Sequence, residues 1–332
     1  MKKILLAVCI TLCAMMFFSC DRKGSSKPEI GITIYKYEDT FMSYVKNSIE
    51  KNAYNKAHIT IVDSQNSQAI QNSQVDQFLA TQKKAIAINP VDRAEAGLIL
   101  EKAKAVNIPV VFFNREPYPE DMAKWDKVFY VGAKAEESGT MLGEIIAEYW
   151  KSHPEMDRNN DGILQYVMIT GEPGHQDAEL RSEYSVKALL DAGINIELLK
   201  EDTAYWERQR AVEVMDSFLA RFGDRIEAVL CNNDDMALGA IESLRKAGYF
   251  TGSNFMPVAG VDATAPALQA LAEGTLLGTV LNDAFNQGKA TYDIAFALAT
   301  GANPANAGWN VTDSKYIWVP YQKVTSDNYK NF

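Results

Sequence analysis

Short apolar runs alternate with segments of helical spacing along the chain from residue 29 onward. The runs predict β-strands at 30–35, 59–64, 85–89, 109–114, 128–132, 164–170, 194–199, 226–231, 256–261 and 277–281. Strands that alternate with helices are typical of parallel βαβ units, and nearly continuous apolar runs indicate a sheet that is covered on both faces. The pattern therefore predicts an α/β protein.

A chain of 332 residues is long enough for two such domains. We interpret the run VFYVG at 128–132 as the start of a second series of strands. Two doubly wound parallel-sheet lobes are therefore expected, with a cleft between them. Open α/β sheets bind ligands outside the carboxyl ends of their strands, so the residues that follow each strand are the first candidates for a binding site.

Amide or charged side chains follow nearly every predicted strand: Asp39, Asn89, Asn114, Glu116, His175, Asp177, Arg181, Asn233, Asp234, Asp262, Asn282 and Asp283. Helix N-caps explain part of this set, since Asp and Asn are preferred there. They do not explain Phe41 and Trp206, because aromatic residues are poor caps. Carboxylates and amides can each pair with two hydroxyls, a guanidinium offers a fork of donors, and flat aromatics cover the apolar face of a pyranose. The set predicts a sugar site.

The segment DRNNDGILQ, beginning at Asp157, has the spacing of a calcium-binding loop. Asp157, Asn159, Asp161 and Gln165 can offer side-chain oxygens, and Ile163 its backbone carbonyl. The twelfth position, where an EF-hand has a bidentate Glu, is Met168. Spacing alone leaves two readings open: a solvated Asp/Asn turn, or a calcium site that takes another carboxylate from elsewhere in the chain.

The first twenty residues are typical of an export signal, with Lys2 and Lys3 ahead of an apolar run that is too short to span a membrane. Cys20 follows Ser19 as in a bacterial lipoprotein cleavage site, which predicts lipidation of Cys20; plain secretory cleavage is the alternative. Residues 21–28 then form a polar tether. Besides Cys20, the mature chain keeps only Cys231, so no disulfide framework is expected.

The formal net charge of -10 argues against nucleic-acid binding, because few cations are available to neutralise phosphates. We also expect a monomer.

Seven motifs together resemble the periplasmic galactose/glucose-binding family: IGITIYKYEDTF, AIAINPVD, NIPVVFFN, GEPGHQDAELR, CNNDDMALGA, VAGVDA and GTVLNDA. The resemblance covers about residues 29–325, with the motifs in the same order. Members are substrate-binding components of ABC importers with the type I periplasmic-binding-protein fold. The resemblance therefore implies a non-enzymatic protein that binds D-glucose or D-galactose and delivers it to a membrane permease.

The resemblance implies that the hexose stacks between Phe41 and Trp206. It implies polar contacts from Asp39, Asn89, His175, Asp177, Arg181, Asn233, Asp262 and Asn282. It also implies that Glu227 supplies the carboxylate missing from the calcium loop, so that a structural Ca²⁺ is expected. The chain would cross three times between a first lobe at 28–110 and 283–316 and a second lobe at 112–282 and 317–332, which would close on the sugar as a hinge.

Three other functions fit the sequence less well. The carboxylates Asp39 and Asp262 would suit a glycosidase, but the remaining polar set is mostly amides and fixed charges. A transcription factor of this fold would need a DNA-binding segment where the export signal stands, and a sugar kinase would need a glycine-rich phosphate loop. Preference for a pentose remains the main alternative within the class. An additional chemoreceptor contact is compatible with transport.

Overall fold

The computed structural model describes residues 27–252 and 254–332. The expected signal peptide, Cys20 and most of the tether therefore lie outside the described residues. The described chain has thirteen strands: β1 (Glu29–Ile34), β2 (His58–Asp63), β3 (Ala85–Ile88), β4 (Val110–Phe113), β5 (Val128–Gly132), β6 (Ile163–Thr170), β7 (Asn195–Thr203), β8 (Ala228–Cys231), β9 (Val258–Ala259), β10 (Gly278–Leu281), β11 (Val311–Thr312), β12 (Tyr316–Trp318) and β13 (Gln322–Thr325).

The α-helices of the described chain lie mostly between these strands. They are α1 (Thr40–Ala53), α2 (Gln68–Ala80), α3 (Ala96–Ala105), α4 (Pro119–Met122), α5 (Ala135–Ser152), α6 (Gln176–Asp191), α7 (Arg208–Phe222), α8 (Asp234–Lys246), α9 (Ala265–Ala272) and α10 (Ala284–Thr300). Several begin at the strand-end residues singled out above. The side chains of Asp39, His175, Asn233 and Asp283 accept a backbone N–H at the start of α1, α6, α8 and α10. The capping explanation is therefore correct for these four.

The strands form two sheets. The first has the order β11-β12-β5-β4-β3-β1-β2, and the second has the order β13-β10-β9-β8-β6-β7. Pairing is parallel except where β11 meets β12 and β13 meets β10. Buried apolar side chains pack against both faces of each sheet. The prediction of two doubly wound α/β lobes is confirmed, with antiparallel strands added at one edge of each sheet.

The predicted boundary between the lobes at 110–112 is wrong. Strand β5 pairs with β4 through Val110 and Val128, and β12 pairs with β5 through Tyr316 and Tyr130. The run at 128–132 therefore completes the first sheet and does not begin the second. In a series of similar βα units, the sequence does not mark where one sheet ends and the next begins, because that point depends on which strands pair. The chain crosses between β5 and α5, between β10 and α10, and between β12 and β13.

Polar contacts join the two lobes across the cleft. Lys36 Nζ lies 2.7 Å from Glu207 Oε1, and the Thr40 hydroxyl donates to Asp235 Oδ2 at 2.5 Å. On another part of the cleft, Arg115 Nη2 lies 2.7 Å from Glu172 Oε2. These contacts define a closed arrangement of the lobes. Among the residues that the structure describes, no helix combines the length and apolarity needed to span a bilayer.

Candidate functional site

A small pocket lies between the lobes and contains most of the predicted sugar-contact residues. Its wall includes Asp39, Phe41, His175, Asp177, Arg181, Trp206, Asn233, Asp262 and Asn282. Four residues outside the contacts implied by the resemblance complete it: Tyr35, Met42, Asn114 and Arg115. The strand ends of both sheets meet here, as expected for open α/β sheets.

The first lobe contributes one carboxylate and one aromatic ring from the start of α1. Asp39 Oδ1 accepts from the backbone N–H of Met42 at 2.8 Å, and Oδ2 accepts from the Tyr35 hydroxyl at 2.6 Å. Asp39 is thus a helix cap whose side chain also faces the pocket. Burial raises the pKa of its carboxyl. Phe41, in the first turn of α1, is buried in the same wall.

The capping role of His175 sets its protonation state. The Asp177 backbone N–H donates to His175 Nδ1 at 3.1 Å, so Nδ1 is an acceptor and the ring proton is placed on Nε2. Burial lowers the pKa of His175 well below its usual value, and the Arg115 and Arg181 guanidiniums act in the same direction. The ring meets Trp206 edge to face, with centroids 5.1 Å apart. His175 is therefore a neutral imidazole with an Nε2–H available for donation.

Arg181 is anchored by several protein groups around its guanidinium. Its Nη1 donates to the Asn232 carbonyl at 2.8 Å, its Nη2 to Tyr321 Oη at 3.2 Å, and its Nε to Ser138 Oγ at 3.3 Å. Asp177 Oδ2 lies 3.4 Å from Nη2. Burial raises the pKa of Asp177, although the Arg181 charge opposes that shift. The arginine is held rigidly, while most of the Asp177 carboxylate is left to other partners.

Asp262 and Asn282 form the wall near the crossing that follows β10. Asn282 Nδ2 donates to Asp262 Oδ1 at 3.2 Å, and Asn282 Oδ1 accepts from Gln287 Nε2 at 2.5 Å. Burial raises the pKa of Asp262 well above its usual value, and the nearby Asp234 acts in the same direction. Its φ of 131° lies in a region that favours glycine, so the surrounding contacts hold it there at some strain.

Trp206 depends on a glycine and on its own unusual backbone. A Cβ built on Gly171 would lie 2.1 Å from Trp206 Cζ2, so only glycine leaves room for the indole. Trp206 has a φ of 69°, and Asn233 Nδ2 donates to its carbonyl at 3.3 Å. Gly171 was not singled out from the sequence, because the contact it makes is with a residue thirty-five positions away along the chain.

Asn89 does not line the pocket, and Asn114 does. The fully buried Asn89 amide accepts from the Tyr35 backbone N–H at 3.1 Å and donates to Asn114 Oδ1 at 3.1 Å. In this closed arrangement Asn89 therefore supports two wall residues from behind, and its contact with the sugar stays a prediction. Both asparagines follow a strand. Asn114 was also a strand-end candidate in the sequence, since it too ends an apolar run.

The loop at 157–165 forms a compact turn, as its spacing indicated. Asp157 Oδ2 accepts from the Gly162 N–H at 2.9 Å, and Asp161 Oδ1 accepts from the Ile163 N–H at 2.8 Å. Asn159 and Gln165 each place an amide nitrogen 2.9 Å from Asp161 Oδ2. Hydrogen bonds within the loop thus connect Asp157, Asn159, Asp161 and Gln165.

Glu227 reaches this loop from the segment just before β8. Its Oε1 accepts from the Arg158 N–H at 2.8 Å, and its Oε2 accepts from the Gln165 N–H at 2.9 Å. Burial raises its pKa, and the Asp157 and Asp161 charges add to this shift. Across the described ranges, no three His, Cys, Asp or Glu side chains converge as a metal-binding group. Of the six predicted ligands, three are acids, Asp157, Asp161 and Glu227, and three would offer amide or carbonyl oxygens, Asn159, Ile163 and Gln165.

Comparisons with known proteins agree with this architecture. The sequence profile of the family described as "Periplasmic binding protein domain" matches residues 30–303. A D-galactose/methyl-galactoside binding periplasmic protein of Haemophilus influenzae is 42% identical over 323 residues, which cover 96% of each chain. A xylitol-binding protein of Mycolicibacterium smegmatis is 28% identical, over 92% of this chain and 79% of its own.

A solved structure has the same fold. An ABC transporter solute binding protein of Bacillus halodurans, with bound myo-inositol, superposes with a TM-score of 0.76 at 30% identity, covering 92% of this chain and 97% of its own.

Proposed function

The chain belongs to the family of periplasmic binding proteins, the sugar-binding components of ABC importers, and we propose that its ligand is D-galactose or D-glucose. Members of this family are transport proteins and not enzymes. The relative that is 42% identical is named for D-galactose and methyl-galactoside, which favours a hexose over the pentose alternative.

One observation carries the proposal: the buried pocket combines an aromatic ring from each lobe with polar groups that suit hydroxyls. Phe41 and Trp206 come from opposite lobes, and the polar wall around them mixes carboxylates, amides, a guanidinium and a neutral imidazole. Aromatic faces fit the C–H surface of a pyranose, and the polar groups fit its hydroxyls. A neutral His175 and a charged Arg181 donate, while Asp39 and Asp177 accept.

Such a pocket discriminates between sugars because the wrong sugar leaves buried polar groups of the protein without a hydrogen-bond partner. A hexose with one misplaced hydroxyl leaves a buried partner unsatisfied, at about 1–3 kcal/mol for each orphaned group. Contacts from both lobes to one ligand favour the closed arrangement, because the open form makes only half of them. Closure is the step that would present the loaded protein to the importer permease. A chemoreceptor contact is compatible with the same closed form.

The proposal is tested by calorimetric titration with D-galactose, D-glucose, D-xylose and L-arabinose. We expect both hexoses to bind at least about tenfold more tightly than either pentose, a difference of about 1.4 kcal/mol. Tighter binding of a pentose would replace the hexose in this proposal. Failure of every sugar to bind would refute the sugar site as a whole.

A structural Ca²⁺ is part of the proposal. Asp157, Asn159, Asp161, Ile163, Gln165 and Glu227 would hold it. The fit is supported by Glu227, a 1% exposed carboxylate that accepts from two backbone N–H groups of the loop and whose pKa is raised by burial and by the Asp157 and Asp161 charges. Calcium prefers six to eight oxygen ligands, and this set supplies carboxylate, amide and carbonyl oxygens. The ion would neutralise the carboxylates and tie the loop to β8.

Export and anchoring complete the proposal. Cleavage before Cys20 and acylation of that residue would attach the protein to a membrane through the 21–28 tether, beside the permease that it serves. The support is the sequence around Lys2, Lys3 and Cys20, which lies outside the described residues. A single acyl chain binds a membrane only marginally, so stable attachment needs more than one.

A further inference from the structure

Two polar contacts join the lobes at the edge of the sugar pocket. Lys36 Nζ of the first lobe lies 2.7 Å from Glu207 Oε1 of the second. The Thr40 hydroxyl of the first lobe donates to Asp235 Oδ2 of the second at 2.5 Å. We call these four residues the rim cluster. Each contact connects a donor of one lobe with a carboxylate of the other, so it exists only while the lobes are close together.

The rim cluster belongs to the same chain segments that build the pocket. Lys36 and Thr40 lie at the start of the first lobe, and Glu207 and Asp235 lie at the starts of α7 and α8. Each of the four is within two positions along the chain of a residue that lines the pocket: Tyr35, Asp39, Phe41, Trp206 or Asn233. A movement that parts the pocket walls therefore also breaks the contacts of the rim cluster.

Arginines of the second lobe hold both acids in place. Arg210 Nε donates to Glu207 Oε2 at 2.8 Å, and Arg208 Nη2 donates to Asp235 Oδ1 at 3.0 Å. In each carboxylate, one oxygen is thus bound within the second lobe, and the other oxygen accepts from the first lobe. The acceptors are already oriented before the first lobe meets them, which reduces the entropy lost when the contact forms.

The exposure of these side chains makes the contacts sensitive to salt. The side chains of Lys36 and Glu207 are 24% and 38% exposed. Salt screens exposed ion pairs strongly and buried pairs much less. The ion pair between Arg115 and Glu172 also joins the lobes, but its arginine side chain is only 7% exposed. Among these two pairs, the one in the rim cluster is therefore the more strongly screened.

We propose that the rim cluster holds the closed form and sets the rate at which the sugar leaves, so that release of an uncharged sugar becomes faster as the ionic strength rises. This inference rests on the proposed sugar-binding function. The four residues are positioning residues, because they act on the lobes and do not contact the sugar. Association should depend little on them, since the contacts form after the sugar has entered the open cleft.

The test is stopped-flow measurement of association and dissociation rates for D-galactose and D-glucose with the full mature chain. Lys36→Ala and Glu207→Gln should each raise the dissociation rate by about two- to fivefold, the effect of an exposed ion pair. The double variant should do little more than either single change, because the two residues form one pair. Thr40→Val should raise the same rate by about two- to tenfold, through loss of a hydrogen bond to a charged group. Association rates should stay within about twofold.

Salt provides a second readout that a merely structural role would not move. Between ionic strengths of about 0.01 M and about 0.5 M, the dissociation rate of wild type should rise by about twofold or more. A hexose carries no charge, so this effect has to come from the protein. Lys36→Ala should show a smaller rise than wild type.

Lys46→Ala is the matched control. The Lys46 side chain is also 24% exposed, and it pairs at 2.8 Å with Glu50 inside α1 of the first lobe. This variant should keep the rates and the salt response of wild type. The inference would be overturned, with the sugar site left standing, by wild-type dissociation rates in Lys36→Ala and Thr40→Val, by salt-independent release from wild type, or by equal acceleration in Lys46→Ala. Absence of binding by any sugar would instead overturn the proposed function, and this inference with it.

Discussion

Asp177 offers a sharp test of the hexose site, through the substitution Asp177→Ala. Its side chain lies in the first turn of α6 and is 8% exposed. Within the described part of the chain, its carboxylate accepts one side-chain hydrogen bond, from Arg181 Nη2 at 3.4 Å. A carboxylate has about four acceptor positions, so most of its capacity faces the pocket.

The magnitude follows from the hydrogen bonds that would be lost. A hydrogen bond to a charged group contributes about 1.5–3 kcal/mol. Loss of one such bond to a sugar hydroxyl predicts a Kd that rises between about tenfold and about 150-fold. Arg181 keeps its bonds to Asn232, Tyr321 and Ser138, so the rest of the pocket should hold its shape.

Stability should change little in this variant. Removal of an acidic side chain from the first turn of a helix costs about 0.3–1 kcal/mol. Burial raises the pKa of Asp177, so the charged carboxylate is unfavourable in the folded protein. Removing the carboxylate therefore offsets part of the stability that the helix loses. Glu179→Ala is a matched control, because Glu179 is an exposed acid in the same first turn.

The assay is titration calorimetry with the tightest-binding hexose at neutral pH, together with thermal unfolding of each variant. Asp177→Ala should lose affinity as stated, while Glu179→Ala should stay within about twofold of wild type. An Asp177→Ala protein that unfolds like wild type and binds the hexose with unchanged affinity would refute the placement of the sugar beside this carboxylate.

The remaining predictions concern the indole, the calcium loop and the anchor. Gly171→Ala should weaken every accepted hexose by at least about tenfold, because the new methyl displaces Trp206; the same affinity with an unchanged tryptophan spectrum would contradict this. Chelation should lower the melting temperature of wild type and have no effect on Glu227→Gln, and a loosely held ion at a hundredfold excess over its Kd would add about 2.7 kcal/mol. Calcium affinity should fall as the pH falls through the raised pKa of Glu227, since protons compete for the carboxylate; a flat pH profile or identical chelator responses would argue against the site. Cys20→Ala should move the protein from the membrane to the soluble fraction, and retention on the membrane would disprove the lipoprotein prediction.

The pattern along the chain was enough for most of the elements, although it did not predict β11, β12 or β13. Apolar runs placed the ten predicted strands close to their observed positions, from β1 at Glu29–Ile34 to β10 at Gly278–Leu281. The same holds for the caps, since Asp39 and Asn233 each bind a backbone N–H within three residues. The compact turn at 157–165 also follows from the spacing of its Asp and Asn residues. All of these are local features, because they depend on backbone preferences and on neighbours a few positions away.

Tertiary structure alone decided the features that depend on distant neighbours. Strand β5 joined the first sheet because β4 and β12 pair with it, and no local signal marks that choice. Asn89 and Asn114 both follow apolar strands, yet only Asn114 reaches the pocket, because the Asn89 amide is occupied by Tyr35 and Asn114 itself. A polar side chain can bind a ligand only where packing leaves part of its hydrogen-bonding capacity free and facing the pocket, and that is a property of the packed structure and not of the residue.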